Sequence, residues 1–388
     1  MTKNGKKVLN NIEGMARWLE DYQKRTFGVS GDWTGGDPDL SDYFFDFHSE
    51  FSDFERTSGE TELLNEIRKS SLIFIGDFHN LRQSQKFTAE LTEKITKDDR
   101  SGKILAVEFL SPGDQKAVDE YQSGRISEET FLKKVDFKSW NDPRHWQGYR
   151  KVLSATRKNG IKVFGIKTGR AKNQAERDLL FALNLKNIAV FYPDDKIIIN
   201  IGDAHLAENH LPAKMLALPE FHDRRMIRVL KNLPKIYFSA LRRYENFRLP
   251  KILKIKNEVY HVMIAPMITQ LLSNIENLEY RTGADKAEGV WTEGDLIMEI
   301  FQCWADLLKI KFDLDKLPEF HIENEKKFRL KKVLEELAGS VFGGPESFRY
   351  FCSKLFIPER RPENVVERAG EKMFLDFLRG KQPVIPRD

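Results

Sequence analysis

A chain of 388 residues is longer than one ordinary core, so one large domain or two to three smaller ones are expected. Apolar residues make up 40% and charged residues 31%, the balance of a soluble globular protein, and a net charge of +4 is too small to imply a polyanion partner. Two cysteines, Cys303 and Cys352, exclude a disulfide framework or a Cys-based zinc centre. The basic start of the chain is followed by no apolar run, and no stretch reaches the roughly 18 apolar residues of a membrane helix. No signal peptide, lipid anchor or membrane span is expected, and a reducing, cytoplasmic location is.

Helical spacing of Val8, Leu9, Ile12, Met15, Ala16 and Leu19 predicts a helix over 8–27. Gly31, Trp33, Gly35, Gly36 and Pro38 break it, and the acidic-aromatic stretch 42–47 reads as a packing patch. A helix near 60–70 leads into an apolar run, Leu72-Ile-Phe-Ile, that ends in Gly76-Asp77-Phe78-His79. The run is too short for a core helix and apolar on both faces, which predicts a buried strand. A helix over 80–97 follows, then a strand over 104–110 that carries Glu108. Ser111 and Pro112 open the next helix, short helices run to Gly124 and to Asp136, and a longer one covers 145–158. A strand at 161–166 and a helix at 173–190 precede a second apolar run, Ile197-Ile-Ile-Asn-Ile, which ends in Gly202-Asp203-Ala204-His205.

This alternation predicts an α/β fold, a mostly parallel sheet flanked by helices, with helical N-terminal and C-terminal extensions. After residue 233 the pattern changes: strands are expected at 236–239, 252–255 and 259–264, without long helices between them. A helix at 267–280, a linker at 283–289 and a mainly helical remainder follow, including 296–308 and 330–337. The expected domains are an N-terminal extension over 1–60, the α/β domain over 61–282 and a C-terminal helical region over 283–388.

The chemistry-bearing residues fall at strand ends, where open parallel sheets bind ligands. Gly76 and Gly202 let the backbone turn sharply there. His79 and His205 fit metal ligation or acid–base work. Asp77 and Asp203 fit orienting the imidazoles, ligating a metal, or capping the following helix. Glu108 sits among apolar neighbours, a costly place for a carboxylate unless it is paired. A contact with at least one of His79, His205 and Arg177 is therefore expected. Arg177 and Asp178 open the 173–190 helix, and Arg177 fits a pair with Glu108 or a substrate anion.

Other patterns fail. His205 and His210 are five residues apart, which splays the rings by roughly 140° on a helix and is not a zinc-protease spacing. There is no dinucleotide glycine motif, phosphate loop or serine elbow. The basic stretch 224–256 interleaves with aromatics, but it reads better as the solvent side of an edge strand and loop than as a nucleic-acid surface.

Gly76-Asp-Phe-His79, Val107-Glu-Phe-Leu with Gln115, Trp140 and Trp146-x-x-Tyr149, Arg177-Asp178, and Gly202-Asp-Ala-His205, in that order, resemble the ChaN-like haem-binding uptake proteins. That group lies within the erythromycin esterase/ChaN/Tiki superfamily, and the resemblance covers residues 65–265. It implies an α/β core with a cleft built by His79, Glu108 and His205, supported by Arg177. Members include haem-binding lipoproteins, esterases that use His and Glu, and metal-dependent proteases. A hydrolase-type site is therefore expected, with a divalent metal on His79, Glu108 and His205 left open and enzymatic activity itself undecided. The alternative is a non-catalytic haem protein with Tyr149, His79 or His205 as axial ligand. The family commonly has Glu where this chain has Asp77. A small molecule or haem, not nucleic acid, is the expected partner.

Overall fold

The computed structural model describes residues 38–97, 101–140, 145–169, 171–243 and 251–265, with 270 and 273. The expected helices at 8–27 and 267–280, the linker at 283–289, the helical C-terminal region and both cysteines lie outside these described residues, apart from 270 and 273. The chain divides into two compact units, one of Gln23–Ala240 with Pro250–Ile264, the other of Met1–Tyr22, Leu241–Leu249 and Ala265–Asp388. The sheet and the site residues belong to the first.

In chain order the elements are α1 (Pro38–Glu50), β1 (Arg56–Ser58), α2 (Glu60–Lys69), β2 (Leu72–Asp77), α3 (Arg82–Lys97) and β3 (Lys103–Val107). Then come α4 (Gln115–Gln122), α5 (Glu128–Val135), α6 (Phe137–Trp140), α7 (Trp146–Lys158), β4 (Lys162–Gly165), α8 (Gln174–Phe191) and β5 (Lys196–Gly202). The last are α9 (Leu211–Leu216), β6 (Met226–Lys231), α10 (Pro234–Arg243), β7 (Ile252–Lys256) and β8 (Val259–Val262).

The strands form one eight-stranded sheet in the order β1-β7-β8-β6-β2-β5-β3-β4. The six from β8 to β4 are parallel, while β7 runs antiparallel to both β8 and β1. This is the expected α/β fold. The six residues of β2 are buried, which is why the run is apolar on both faces. Its side chains divide by the two-residue period: Ile73 and Ile75 join a core with Leu63 and Ile67 of α2, Leu91 and Ile95 of α3, and Val152 and Leu153 of α7. Among the described residues no helix is long and apolar enough to cross a membrane.

Two expectations fail near residue 230. Residues 236–239 are not a strand but part of α10, which Pro234 opens and whose buried Ile236, Tyr237 and Ala240 share one helical face. The strand lies earlier, as β6. Its Arg228 and Lys231 belong to a buried strand and not to a solvent-facing edge. Arg228 is neutralised by Glu50 at 2.7 Å, and Lys231 donates to Ser84 O at 3.0 Å and Thr88 Oγ1 at 3.1 Å. Buried cations with buried partners carry no periodic signal in a sequence, so the strand was hidden.

Candidate functional site

Strand β5 lies between β2 and β3, with Asp77 beside Gly202 and Val107 beside Asn200. The three strand ends that carry ionisable residues are therefore neighbours. Glu108, just past β3, donates its N–H to Asn200 O at 3.1 Å, and its Oε2 accepts the Gly202 N–H at 2.7 Å. His79 Nε2 stands 3.6 Å from Glu108 Oε2, and His205 Nε2 stands 4.0 Å from Oε1. The structure thus brings both histidines to one carboxylate. A Cβ on Gly202 would lie 3.3 Å from His79 Nε2, 3.5 Å from Glu108 Oε2 and 3.6 Å from His205 Cδ2, so this glycine sits where the three groups converge.

Each imidazole is held from behind by a buried acid and a tyrosine. On the first side, His79 Nδ1 lies 2.9 Å from Asp77 Oδ2, and the Tyr149 hydroxyl donates to the same oxygen at 2.7 Å. Ser84 Oγ and Gln85 Nε2 each donate to Asp77 Oδ1 at 2.9 Å. A carboxylate only accepts, so Nδ1 carries a proton and Nε2 faces Glu108. Burial alone would raise the Asp77 pKa, but the bond and charge of His79, then Lys231 and Tyr149, hold it well below the usual range. Burial likewise opposes the charge on His79, yet Glu108 and Asp77 push it up to about 9. The pair is an imidazolium on a carboxylate.

On the second side the acid is not the one in the motif. His205 Nδ1 lies 2.6 Å from Oδ1 of Asp178, on α8, and 2.8 Å from the Tyr43 hydroxyl. Tyr43 donates to Asp178 Oδ2 at 2.9 Å. Its ring stacks on His210 with centroids 3.6 Å apart and planes 9° from parallel. Burial first, then the charge and bond of Asp178, raise the Tyr43 pKa far above its ordinary value, so it stays a neutral donor. Residues 42–47, expected to be a packing patch, are thus the middle of α1, and one of their aromatics enters the site. The amphipathic placing of Tyr43 and Phe47 was the available signal; nothing local distinguishes a phenol that packs from one that bonds.

Asp203 has a different task. It lies over Gly76, where a Cβ would come within 1.7 Å of its Oδ1. That Oδ1 is buried and, among the described residues, has no hydrogen-bond partner. Burial pushes the Asp203 pKa up to about 7, against the pull of the Lys231 charge. Lys231 is fully buried 3.9 Å from Asp77 Oδ1, and burial lowers its own pKa to about 8. Asp77, Asp203 and Lys231 therefore form a group of buried ionisable side chains whose charges act on one another.

Among the described residues, no hydrogen bond or ion pair joins Arg177 to Glu108. Arg177 is half-buried in the first turn of α8, and its charge is felt at the Tyr43 hydroxyl. Its neighbour Asp178 takes the inward direction, since adjacent positions on a helix point about 100° apart.

Haem needs an open axial atom beside an apolar slot. Tyr149 is fully buried with its hydroxyl given to Asp77, and the His205 side chain is 8% exposed with Nε2 turned to Glu108. His79 is more open, at 34%, but its Nε2 also faces Glu108. In this arrangement Tyr149 and His205 do not fit haem, which leaves the partly exposed His79 as the candidate ligand. Nor, among the described residues, is any group of three His, Cys, Asp or Glu side chains set to hold a metal ion.

The fold and site define an α/β protein with two acid-held histidines facing one glutamate. Residues 63–175 match the family model described as haem-binding uptake, Tiki superfamily, ChaN, in line with the resemblance read from the sequence. The type III effector HopBA1 is similar in structure at 18% identity and a TM-score of 0.37, over 47% of this chain and 88% of that one. ChaN of Campylobacter jejuni, described with cofacial haem binding, is similar at 12% identity and a TM-score of 0.39, over 50% of this chain and 92% of that one. The C-terminal region of Pasteurella multocida toxin, described with a thiol-protease-like triad, is similar at 16% identity and a TM-score of 0.30, over 51% of this chain and 26% of that one. No curated protein matches the chain in sequence.

Proposed function

We propose that this ChaN-like protein is a hydrolase acting on a small-molecule substrate in the cleft at the carboxyl ends of β2, β5 and β3. The observation that supports it most is the pair of imidazoles, each held through Nδ1 by a buried aspartate and turned by Nε2 toward Glu108. Glu108 takes a proton from the attacking water. The His79 imidazolium faces the developing anion and gives its Nε2 proton to the leaving group. Glu108 then returns its proton to Nε2, 3.6 Å away, and both groups are restored. His205, with its Nδ1 proton on Asp178, keeps Nε2 for orienting the water beside Glu108. Arg177 has no proton step.

Hydrolysis of a panel of p-nitrophenyl esters tests this. The wild-type chain is expected to turn over at least one ester, and His79→Gln to lose about 100-fold or more of that rate. Equal rates in the two chains, or no hydrolysis across the panel, would refute it. The matched family's description brings haem as a second candidate ligand, resting on the partly exposed His79. A Soret band that shifts on hemin addition and is lost in His79→Gln would favour that reading over the hydrolase.

A further inference from the structure

The site is completed from outside the ChaN-like match. That match begins at residue 63, while Tyr43 sits on α1, twenty positions earlier. We infer that Tyr43 is a positioning residue for His205, and that α1 is thereby a working part of the site and not an appended helix. The inference rests on the reading of His205 as a working residue of that site.

The two sides of Glu108 are built alike. Tyr149 donates to Asp77, which fixes His79; Tyr43 donates to Asp178, which fixes His205. Tyr149 comes from α7 inside the matched segment and Tyr43 from α1 before it. Asp178 is fully buried, so both its oxygens need donors. His205 Nδ1 supplies one at 2.6 Å and the Tyr43 hydroxyl the other at 2.9 Å. Without the hydroxyl, Oδ2 would be a buried acceptor with nothing to accept, and the carboxylate would turn to escape that state. That turn releases the hold on Nδ1, and the direction of Nε2 toward Glu108 goes with it.

Helix α1 is fastened to the segment it serves. Glu50, at its end, accepts from Arg228 Nη1 at 2.7 Å and lies 2.9 Å from Lys256 Nζ, and its Oε2 accepts the Glu208 N–H at 2.6 Å. Arg228 also donates to Leu206 O at 2.8 Å, one residue past His205. Phe47 and Phe51 are buried and meet edge to face, with centroids 5.2 Å apart. The Tyr43 ring lies on His210, whose Nδ1 is 2.6 Å from Ala204 O. The phenol is thus held by the same short segment whose histidine it positions, an arrangement that a helix merely covering apolar surface would not need.

Tyr43→Phe removes the hydroxyl and keeps the stacked ring; Phe47→Leu loosens α1 without touching Asp178. Long-range proton–nitrogen NMR of the full chain reads the His205 imidazole directly, with the signal assigned by its loss in His205→Gln, so the result does not depend on ester hydrolysis. In the wild-type chain Nδ1 is expected to show the shift of a protonated nitrogen. In Tyr43→Phe the Nδ1 and Nε2 shifts are expected to move toward each other, the mark of a tautomer no longer held. In Phe47→Leu the melting temperature falls and the His205 shifts stay. Unchanged His205 shifts in Tyr43→Phe, or the same displacement in both variants, would overturn the inference. A Tyr43→Phe chain that melts far below Phe47→Leu would also overturn it, because the hydroxyl would then be a structural bond.

Discussion

His205 Nδ1 lies 2.6 Å from Asp178 Oδ1, so the second histidine takes its acid from α8 and not from its own Gly-Asp-x-His motif. The two motifs are alike as strands and unlike as sites. In the first, Asp77 fixes its own histidine; in the second, Asp203 packs against Gly76 instead. Asp178→Asn is therefore expected to cut ester hydrolysis by about 100-fold or more, because the amide can present N–H to Nδ1 and reverse the tautomer. A rate within about twofold of wild type, measured under matched conditions, would refute the pairing as functional.

Asp203 should make the fold less stable as pH rises. Its folded pKa of about 7 lies above the ordinary 3.8, so between these values the folded chain holds a proton that the unfolded chain has lost. Stability then falls as pH rises from about 4 to 7. Asp203→Asn removes that slope and is expected to melt a few degrees higher than wild type at pH 7. A variant that melts lower at pH 7 and higher at pH 4 would reverse the sign and the explanation.

Gly76 and Asp203 should couple. A methyl at Gly76 would overlap Asp203 Oδ1 at 1.7 Å, while the next backbone atom is 3.5 Å away. Gly76→Ala is expected to cost about 1–3 kcal/mol by crowding. Adding Asp203→Ala should recover most of that loss, a non-additivity that urea melts of the four chains would measure. Purely additive effects would mean that the crowding is relieved elsewhere.

His79 should titrate well above a free histidine. With a folded pKa of about 9 against an ordinary 6.5, its contribution to stability is whole below about 6.5 and lost as pH rises through 9. Its side chain is a third exposed, so solvent screening keeps that contribution modest. The proton it gives to the leaving group disappears over the same range, so hydrolysis should fall above about pH 9. A histidine resonance assigned to His79 that titrates near 6.5 would contradict both.

Much of this was legible in the sequence. Two apolar runs ending in Gly-Asp-x-His read as strands because burial on both faces leaves an unbroken hydrophobic signal, and Glu108 stood out as an acid inside such a run. The neighbouring order of β2, β5 and β3 was not legible, since strand order is a property of packing and not of any one run. Tyr43 and Asp178 meet across 135 positions, and no local pattern marks such a pair. Strand β6 was missed because Arg228 and Lys231 read as solvent-facing until Glu50 and α3 are seen to bury and bond them.

Glu108 is the centre of the account, and Glu108→Gln tests it most directly. The amide keeps the shape and an oxygen for the Gly202 N–H, so the thermal melt should stay within a few degrees of wild type. The base is gone, so hydrolysis should fall by about 100-fold or more. A melting temperature that collapses, with the ester rate of the remaining folded protein unchanged, would make Glu108 a structural acid and contradict the site.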